Sequence, residues 1–440
     1  MNPLPDKSEN ITRKYTIRST IYIMLAAFIT YCCMYAFRKP FTAATFDGLT
    51  IWGIDMKIML ISSQVIGYML SKFIGIYFVS SMSPSNRIKN ILILLGISWI
   101  ALLAFAILPV RLTWLFMFIN GLPLGMIWGL VFSFLEGRRN TELLGAGMSA
   151  SFIVSSGLVK YAGKTLIEHF SVSEIWMPFI TASFFIPFLF LGTYMLSKIS
   201  PPDKEDIENR SERLPMNGLD KLRFVKTFTF GIIWIVIIYI ALSIYRDLRD
   251  NFAVEIWEQL GFAGNTTILL TAEIPISIAV LIITAFMVLI RNNSTAFYST
   301  LVIIAGGGIV LVSMTILFVN KLISPAFWMI ITGFGLYLSY VSYHTMLFER
   351  WIAIFRLKSN IGFLMYLADS FGYLGSVIVL FGKNFLQVEI NWLSFIVNIA
   401  YVAGILIILL SVISILYFRR KERSLNSEKL KVTALIPAIS

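Results

Sequence analysis

Apolar stretches of about 20 residues, each long enough to cross the hydrocarbon of a bilayer as a helix, recur along the whole chain. They lie at 18–40, 58–80, 88–110, 112–135, 143–166, 175–197, 225–250, 265–290, 296–319, 323–348, 358–383 and 392–418. With 58% hydrophobic and 14% charged residues and a mean hydropathy of +0.80, a soluble fold of 440 residues has no interior large enough to hide them. The runs are too long for barrel strands, which read as short alternating segments of about 10 residues. Helices satisfy every backbone donor and acceptor inside lipid. The sequence therefore predicts an all-α integral membrane protein with twelve transmembrane helices. The first stretch is too long for a signal peptide and no small-residue cleavage site follows it, so it is expected to be retained.

Basic residues set the orientation. With a cytoplasmic N-terminus, 25 of the 36 Lys and Arg fall in cytoplasmic segments, and only Lys57, Arg111, Lys321 and Lys383 on the opposite side. Both termini are expected to be cytoplasmic, and the net charge of +12 is mostly this topological signal. The longest internal polar stretch holds Pro201, Pro202, a Lys/Asp/Glu-rich run and Pro215. It divides the chain into a cytoplasmic N-terminal segment (1–17), a six-helix bundle (18–197), a cytoplasmic linker (198–224), a second six-helix bundle (225–418) and a basic cytoplasmic tail (419–440).

The bundles carry marks of duplication. Tyr31 and Arg38 are seven residues apart in the first span, and Tyr239 and Arg246 repeat the spacing 208 positions later. Arg18 and Lys226 each lie 20 residues before the arginine of their half. Gly121 and Gly333 fall early in the fourth and tenth spans, which close on Glu136 with Arg138 and on Glu349 with Arg350. Two halves related by an axis along the membrane normal imply a mid-membrane substrate site and a rocking motion.

Seven cations remain in or near the spans: Arg38, Lys39, Lys72, Lys160, Lys164, Arg246 and Arg249, against the acids Asp247, Asp250, Glu273 and Asp369. A charge left in hydrocarbon costs at least about 2.5 kcal/mol, so an anionic ligand in a wet cavity is the physical inference. Tyr31, Tyr35, Arg38 and Thr42 share one helical face. An arginine fork grips two oxygens of a phosphate or carboxylate, and a tyrosine hydroxyl adds a donor. Each residue also has a plainer reading. Arg38 and Lys39 could mark the outer helix end and snorkel, as could Arg246 in the second half and Lys160 and Lys164, which repel unless a counter-ion sits between them. Lys72 could form a structural ion pair, and Arg249 could pair with Asp250 or Asp247. Glu273, Asp369 and His344 are candidate proton carriers, with neutralisation of nearby cations as the alternative for the two acids.

Other classes find little support. The basic residues are scattered over short loops, which argues against nucleic-acid binding. Cys32 and Cys33 are adjacent in an apolar helix, and neither they nor the two histidines have metal-ligand spacing. No nucleophile–base pair or phosphate-cradling glycine loop is present, so neither an enzyme nor a bound cofactor is expected.

Several short motifs resemble the major facilitator superfamily, and within it the organophosphate:phosphate antiporters typified by the glycerol-phosphate transporter. Tyr35-Ala-Phe-Arg38-Lys39-Pro-Phe41 is similar to the first-helix Y-x-x-R-K-x-F, and Ser71-Lys72-Phe73 to the second-helix S-K-F. Ser83-Pro84-Ser85-Asn86-Arg87 resembles a degenerate inter-helix loop, and Gly121 to Trp128 the fourth-helix G-x-x-x-G-M-x-W. Gly333-Phe334 with Tyr337, and Phe371-Gly-Tyr-Leu-Gly375, resemble the tenth and eleventh helices. The resemblance implies a major facilitator fold in which Arg38 and Arg246 bind the phosphoryl group, Lys72 lies on the substrate path and Tyr31 and Tyr35 line it. The family's fifth-helix histidine has no counterpart near Ser155 and Ser156, where Lys160 and Lys164 follow instead. The chain thus reads as a divergent member.

The expected protein is a monomeric secondary transporter of a small organic anion, organophosphate or carboxylate, in the bacterial inner membrane. Its expected partners are that anion, the lipid bilayer, and inorganic phosphate or protons as coupling ion. A membrane sensor of such an anion built on the same fold, and a proton-coupled carrier of a non-phosphorylated solute, are the alternatives.

Overall fold

The computed structural model describes residues 7–80, 86–136, 138, 141–201, 218–355, 361–385 and 391–435. Most of the linker and Ser83, Pro84 and Ser85 of the loop motif lie outside the described residues, as do the extreme ends of the N-terminal segment and the tail. Among the described residues, eleven helices are long and apolar enough to span a membrane, and a bent pair makes a twelfth.

The first half holds α1 (Lys7–Arg38), α2 (Met56–Ser80), α3 (Arg87–Ile107), α4 (Thr113–Phe132), α5 (Thr141–Phe170) and the bent pair α6 (Met177–Phe184) and α7 (Ile186–Ser197). The pair, bent by 41°, covers the single span the sequence predicts at 175–197. Pro187 has no N–H to donate to the preceding turn, so the ladder breaks there. The second half holds α8 (Gly218–Asn251), α9 (Glu273–Val288), α10 (Asn293–Val319), α11 (Pro325–Ser342), α12 (Phe348–Phe355), α13 (Ile361–Phe385) and α14 (Trp392–Leu435). A π-helical turn, Tyr343–Leu347, joins α11 to α12. Helix α14 continues past the expected membrane end into the basic tail, whose Arg, Lys, Glu and Leu residues favour helix. A short antiparallel hairpin, Thr50–Ile51 with Ile54–Asp55, follows α1. Its turn residues Trp52 and Gly53 both have positive φ, as a two-residue hairpin turn requires.

The chain forms two compact units: unit 1 is Met1–Ser211 with Asp250–Leu281 and Leu380–Val388, and unit 2 is Glu212–Arg249, Ile282–Val379 and Glu389–Ser440. In unit 1, α4 presses on α2 through small residues. A Cβ on Gly121 would lie 2.1 Å from the Gln64 carbonyl oxygen, and one on Gly125 2.6 Å from that of Tyr68. Backbones can come this close only where no side chain intervenes, and close approach is what drives helix association in lipid. In unit 2, Gly308 and Gly404 do the same for α10 and α14. Phe228 interrupts regular helix at φ −122° and packs on Phe355, with ring centroids 4.8 Å apart. Large apolar side chains such as Phe73, Ile100, Phe188, Phe286 and Ile309 are exposed, as lipid-facing positions of spanning helices are.

Candidate functional site

In unit 1 the site begins where α1 stops. Pro40 cannot continue the helix, and a 3-10 turn, Pro40–Ala43, follows Arg38. The last carbonyls of α1 would be orphaned in the interior, and two amide side chains serve them. Asn120 of α4 donates through Nδ2 to the Phe37 oxygen at 3.0 Å. Gln64 of α2 donates through Nε2 to the Arg38 oxygen at 2.8 Å and to Asn120 Oδ1 at 2.7 Å. The backbone of Arg38 is thereby pinned at the junction of three helices. Its guanidinium carbon sits 4.0 Å from the centre of the Tyr68 ring, and Lys72 Nζ lies 5.2 Å from the same ring and 5.8 Å from that of Trp128. Arg38 and Lys39 are 5% and 4% exposed, so both are buried in protein rather than extended to a lipid-facing surface. Tyr31 and Tyr35 pack edge to face at 5.7 Å and both meet Phe152.

A second group in unit 1 gathers two lysines on one acid. Asp250 receives Lys39 Nζ at 2.5 Å and Lys160 Nζ at 2.7 Å, and Ser156 donates its hydroxyl to the same carboxylate. Lys39 also donates to Asn251 Oδ1 at 2.6 Å. Asp250 therefore serves Lys160 rather than Arg249. Lys164 is served separately, by Glu258 at 3.3 Å and Glu168 at 3.6 Å. Lys57, which the sequence places in an outer loop, is buried; it donates to the Thr42 oxygen at 3.0 Å and is paired with Glu255. Burial pushes the Glu255 carboxyl above the ordinary carboxylate range, against the pull of Lys57. Glu273 is buried on α9 beside α5, where a Cβ on Gly157 would meet Glu273 Cγ at 3.1 Å.

In unit 2 the equivalent tyrosine has polar company. The Tyr239 hydroxyl lies 2.9 Å from the Tyr340 hydroxyl and 2.9 Å from His344 Nε2, and it donates to Asp369 Oδ1. His344 Nε2 is 3.9 Å from Asp369 Oδ1. Two local features build the group. The π-helical turn after α11 carries His344, and an insertion of that kind re-aims side chains within a helix. Gly372 of α13 packs against the Tyr239 ring, where a Cβ would meet ring carbons at 2.7 Å, and this brings Asp369 close. Arg246 pairs with the adjacent Asp247 through Nη2 at 2.7 Å and Nε at 3.0 Å. Its guanidinium also donates to the Tyr340 hydroxyl and lies 4.4 Å from the Tyr340 ring centre and 5.5 Å from that of Tyr373. Arg249 sits 5.5 Å from the Tyr337 ring centre and donates to the Met329 oxygen at 3.4 Å.

The structure thus brings Arg38 and Lys72 together on Tyr68, Lys39 and Lys160 on Asp250, and Arg246 into contact with the Tyr340 that also meets Tyr239. Sequence reasoning missed Tyr68 as the shared ring, the Gln64–Asn120 cap, Lys57 with Glu255, and Tyr340. The cap had a readable signal, since two amides in apolar spans demand partners. Tyr340 had another, since it shares a helical face with His344 four residues on.

Two solved transporter structures have a similar fold. The crystal structure of a D-xylose-proton symporter is 14% identical with a TM-score of 0.57, covering 90% of this chain and 97% of its own. A mutant form of the nucleoside transporter NupG is 13% identical with a TM-score of 0.58, covering 91% of this chain and 100% of its own. Likeness at that identity shows the fold alone, an all-α membrane fold that this chain shares with these two transporters, as the sequence predicts. A search of curated proteins finds no match. A family profile matches residues 40–421, and on that extent the chain belongs to the family of unknown function DUF5690.

Proposed function

We propose that this protein is a secondary active transporter that carries a small organic anion, phosphorylated or carboxylated, by alternating access. Arg38 and Arg246 are its principal anion ligands, Lys72, Tyr31 and Tyr35 line the path in unit 1, and Arg249, Lys160 and Lys164 add positive potential. Both termini are cytoplasmic and the membrane is the bacterial inner membrane. A kinship with the organophosphate:phosphate antiporters belongs to the same reading and rests on the motifs around Arg38, Lys72 and Gly121.

The observation that carries the reading is a surplus of buried cation. Among the described residues six basic side chains are buried, Arg38, Lys39, Lys57, Lys72, Lys160 and Arg249, against the four buried acids Asp247, Asp250, Glu273 and Asp369 and the partly buried Glu255 that pairs with Lys57. Burying a cation is costly unless charge of the opposite sign meets it. A substrate anion supplies that charge only while it is bound, which suits a site that must also release it.

Uptake of radiolabelled inorganic phosphate, glycerol phosphate and succinate into proteoliposomes tests this. Wild type is expected to take up at least one of the three, and Arg38→Lys and Arg246→Lys to lose at least about tenfold in rate, because the ammonium of lysine cannot reproduce a bidentate grip. Equal transport by variants that insert normally would overturn the two-arginine assignment.

A further inference from the structure

A hydrogen-bonded group of titratable side chains in unit 2 meets Arg246 through Tyr340, and a guanidinium holding an anion does not need it. Tyr239 has one hydroxyl hydrogen and two lone pairs, and it faces three polar groups at once: the Tyr340 hydroxyl, His344 Nε2 and the Asp369 carboxylate. Only certain proton arrangements satisfy all three contacts. With Asp369 ionised, Tyr239 donates to Asp369 and accepts from Nε2–H of a neutral His344. With one proton more, the same heavy-atom frame works in reverse: Asp369 O–H donates to Tyr239, and Tyr239 donates to Nε2 of a His344 whose hydrogen is on Nδ1. A third arrangement keeps Asp369 ionised and places the added proton on imidazolium. The frame therefore holds either of two proton counts without rearrangement, which a structural ion pair does not offer.

We infer that Asp369, Tyr239 and His344 form a proton-binding site whose occupancy is linked to that of the anion at Arg246, so that the carrier is a proton–anion symporter. The inference rests on the anion reading above and names its coupling ion. Among the described contacts, the titratable and charged groups that face the site from α8, the α11 segment and α13 include Arg246, Tyr340, Tyr343 and Tyr373, with Asp247 beyond Arg246. Tyr340 is the connection: it accepts from Arg246 and meets Tyr239. Negative charge arriving at Arg246 favours an added proton across this short path, and linkage requires that the added proton favour the anion by the same factor. A site loaded with both moves with little change of net charge, and an intramembrane acid and imidazole close to the substrate cation are where a proton relay is expected. Glu273, the other acid singled out in the spans, lies in unit 1 beside α5.

The test uses full-length protein in proteoliposomes with the same three labelled probes. For each variant, uptake driven by an imposed inward proton gradient is divided by probe exchange measured with no gradient. In wild type the gradient is expected to raise uptake and a trapped pH dye to report acidification that accompanies the anion. Asp369→Asn, His344→Gln and Tyr239→Phe are expected to lower the ratio at least tenfold, whereas Glu273→Gln keeps it. A wild-type ratio in Asp369→Asn and His344→Gln, or loss of the ratio in Glu273→Gln alone, would overturn the proton site. Probe movement in wild type with no acidification would overturn the linkage while leaving the anion reading standing. Failure of wild type to move any of the three probes would remove the anion reading itself.

Discussion

Arg38 and Arg246 each lie seven residues after a tyrosine, yet their neighbourhoods solve the problem of buried charge in different ways. In unit 1 the tyrosine seven residues earlier, Tyr31, packs against Tyr35 and Phe152, and Arg38 shares the Tyr68 ring with Lys72. One buried acid of this unit, Asp250, is divided between Lys39 and Lys160. In unit 2, Arg246 carries its own acid on the next residue, and Tyr239 stands in a network with an imidazole and a second carboxylate. The tyrosine-to-arginine spacing is thus the same in the two units while the surroundings differ. Unit 1 concentrates positive charge and aromatic surface; unit 2 balances its arginine and adds groups that can change protonation.

The largest expected effect probes that imbalance. Asp250→Asn leaves two buried ammonium groups without their shared carboxylate and is expected to cost about 3–5 kcal/mol. Asp247→Asn touches a partly buried arginine, keeps an amide oxygen for it, and is expected to cost about 1 kcal/mol. Thermal unfolding in detergent compares the two, and equal losses would break the distinction between the units. Tyr68→Leu comes next. It removes the ring beneath both Arg38 and Lys72, with an expected cost of about 1–2 kcal/mol. Tyr68→Phe keeps the ring face and is expected to retain most of that stability, an outcome that separates the ring from its hydroxyl.

The smallest effect concerns Glu255, which serves one lysine where Asp250 serves two. Burial raises its carboxyl in the folded state, so the folded protein holds its proton more tightly than the unfolded chain. The stability this contributes is complete below the ordinary carboxylate range and is lost as pH rises through the raised value. Glu255→Gln, a neutral isostere, is expected to flatten the decline of Tm across that window and to change stability at its acid end by less than about 1 kcal/mol. A loss as large as that of Asp250→Asn would show that Glu255 acts as a charged partner and would sharpen the comparison the other way.

Much of the architecture was legible in one dimension because lipid imposes a simple rule: a segment that crosses must be long, apolar and internally hydrogen-bonded. Chain order alone therefore located twelve spans, suggested a duplication through Tyr31, Arg38, Tyr239 and Arg246, and singled out the cations that lipid would not tolerate. Pro187 was equally readable, but its consequence, a bent pair in place of one rod, appears only once the helices are packed. Partner choice was not readable at all. Asp250 could have taken Arg249 on its own helix; it takes Lys39 and Lys160 instead, 211 and 90 positions away. Lys57 looked like a loop charge and is buried against Glu255. Asp369 and Tyr239 meet because Gly372 lets two helices approach. Spans are decided by the local transfer of each segment into lipid, a property of composition and length. Ion pairs and proton networks are decided by which helices come within a few ångströms of one another, and that depends on packing summed over the whole chain.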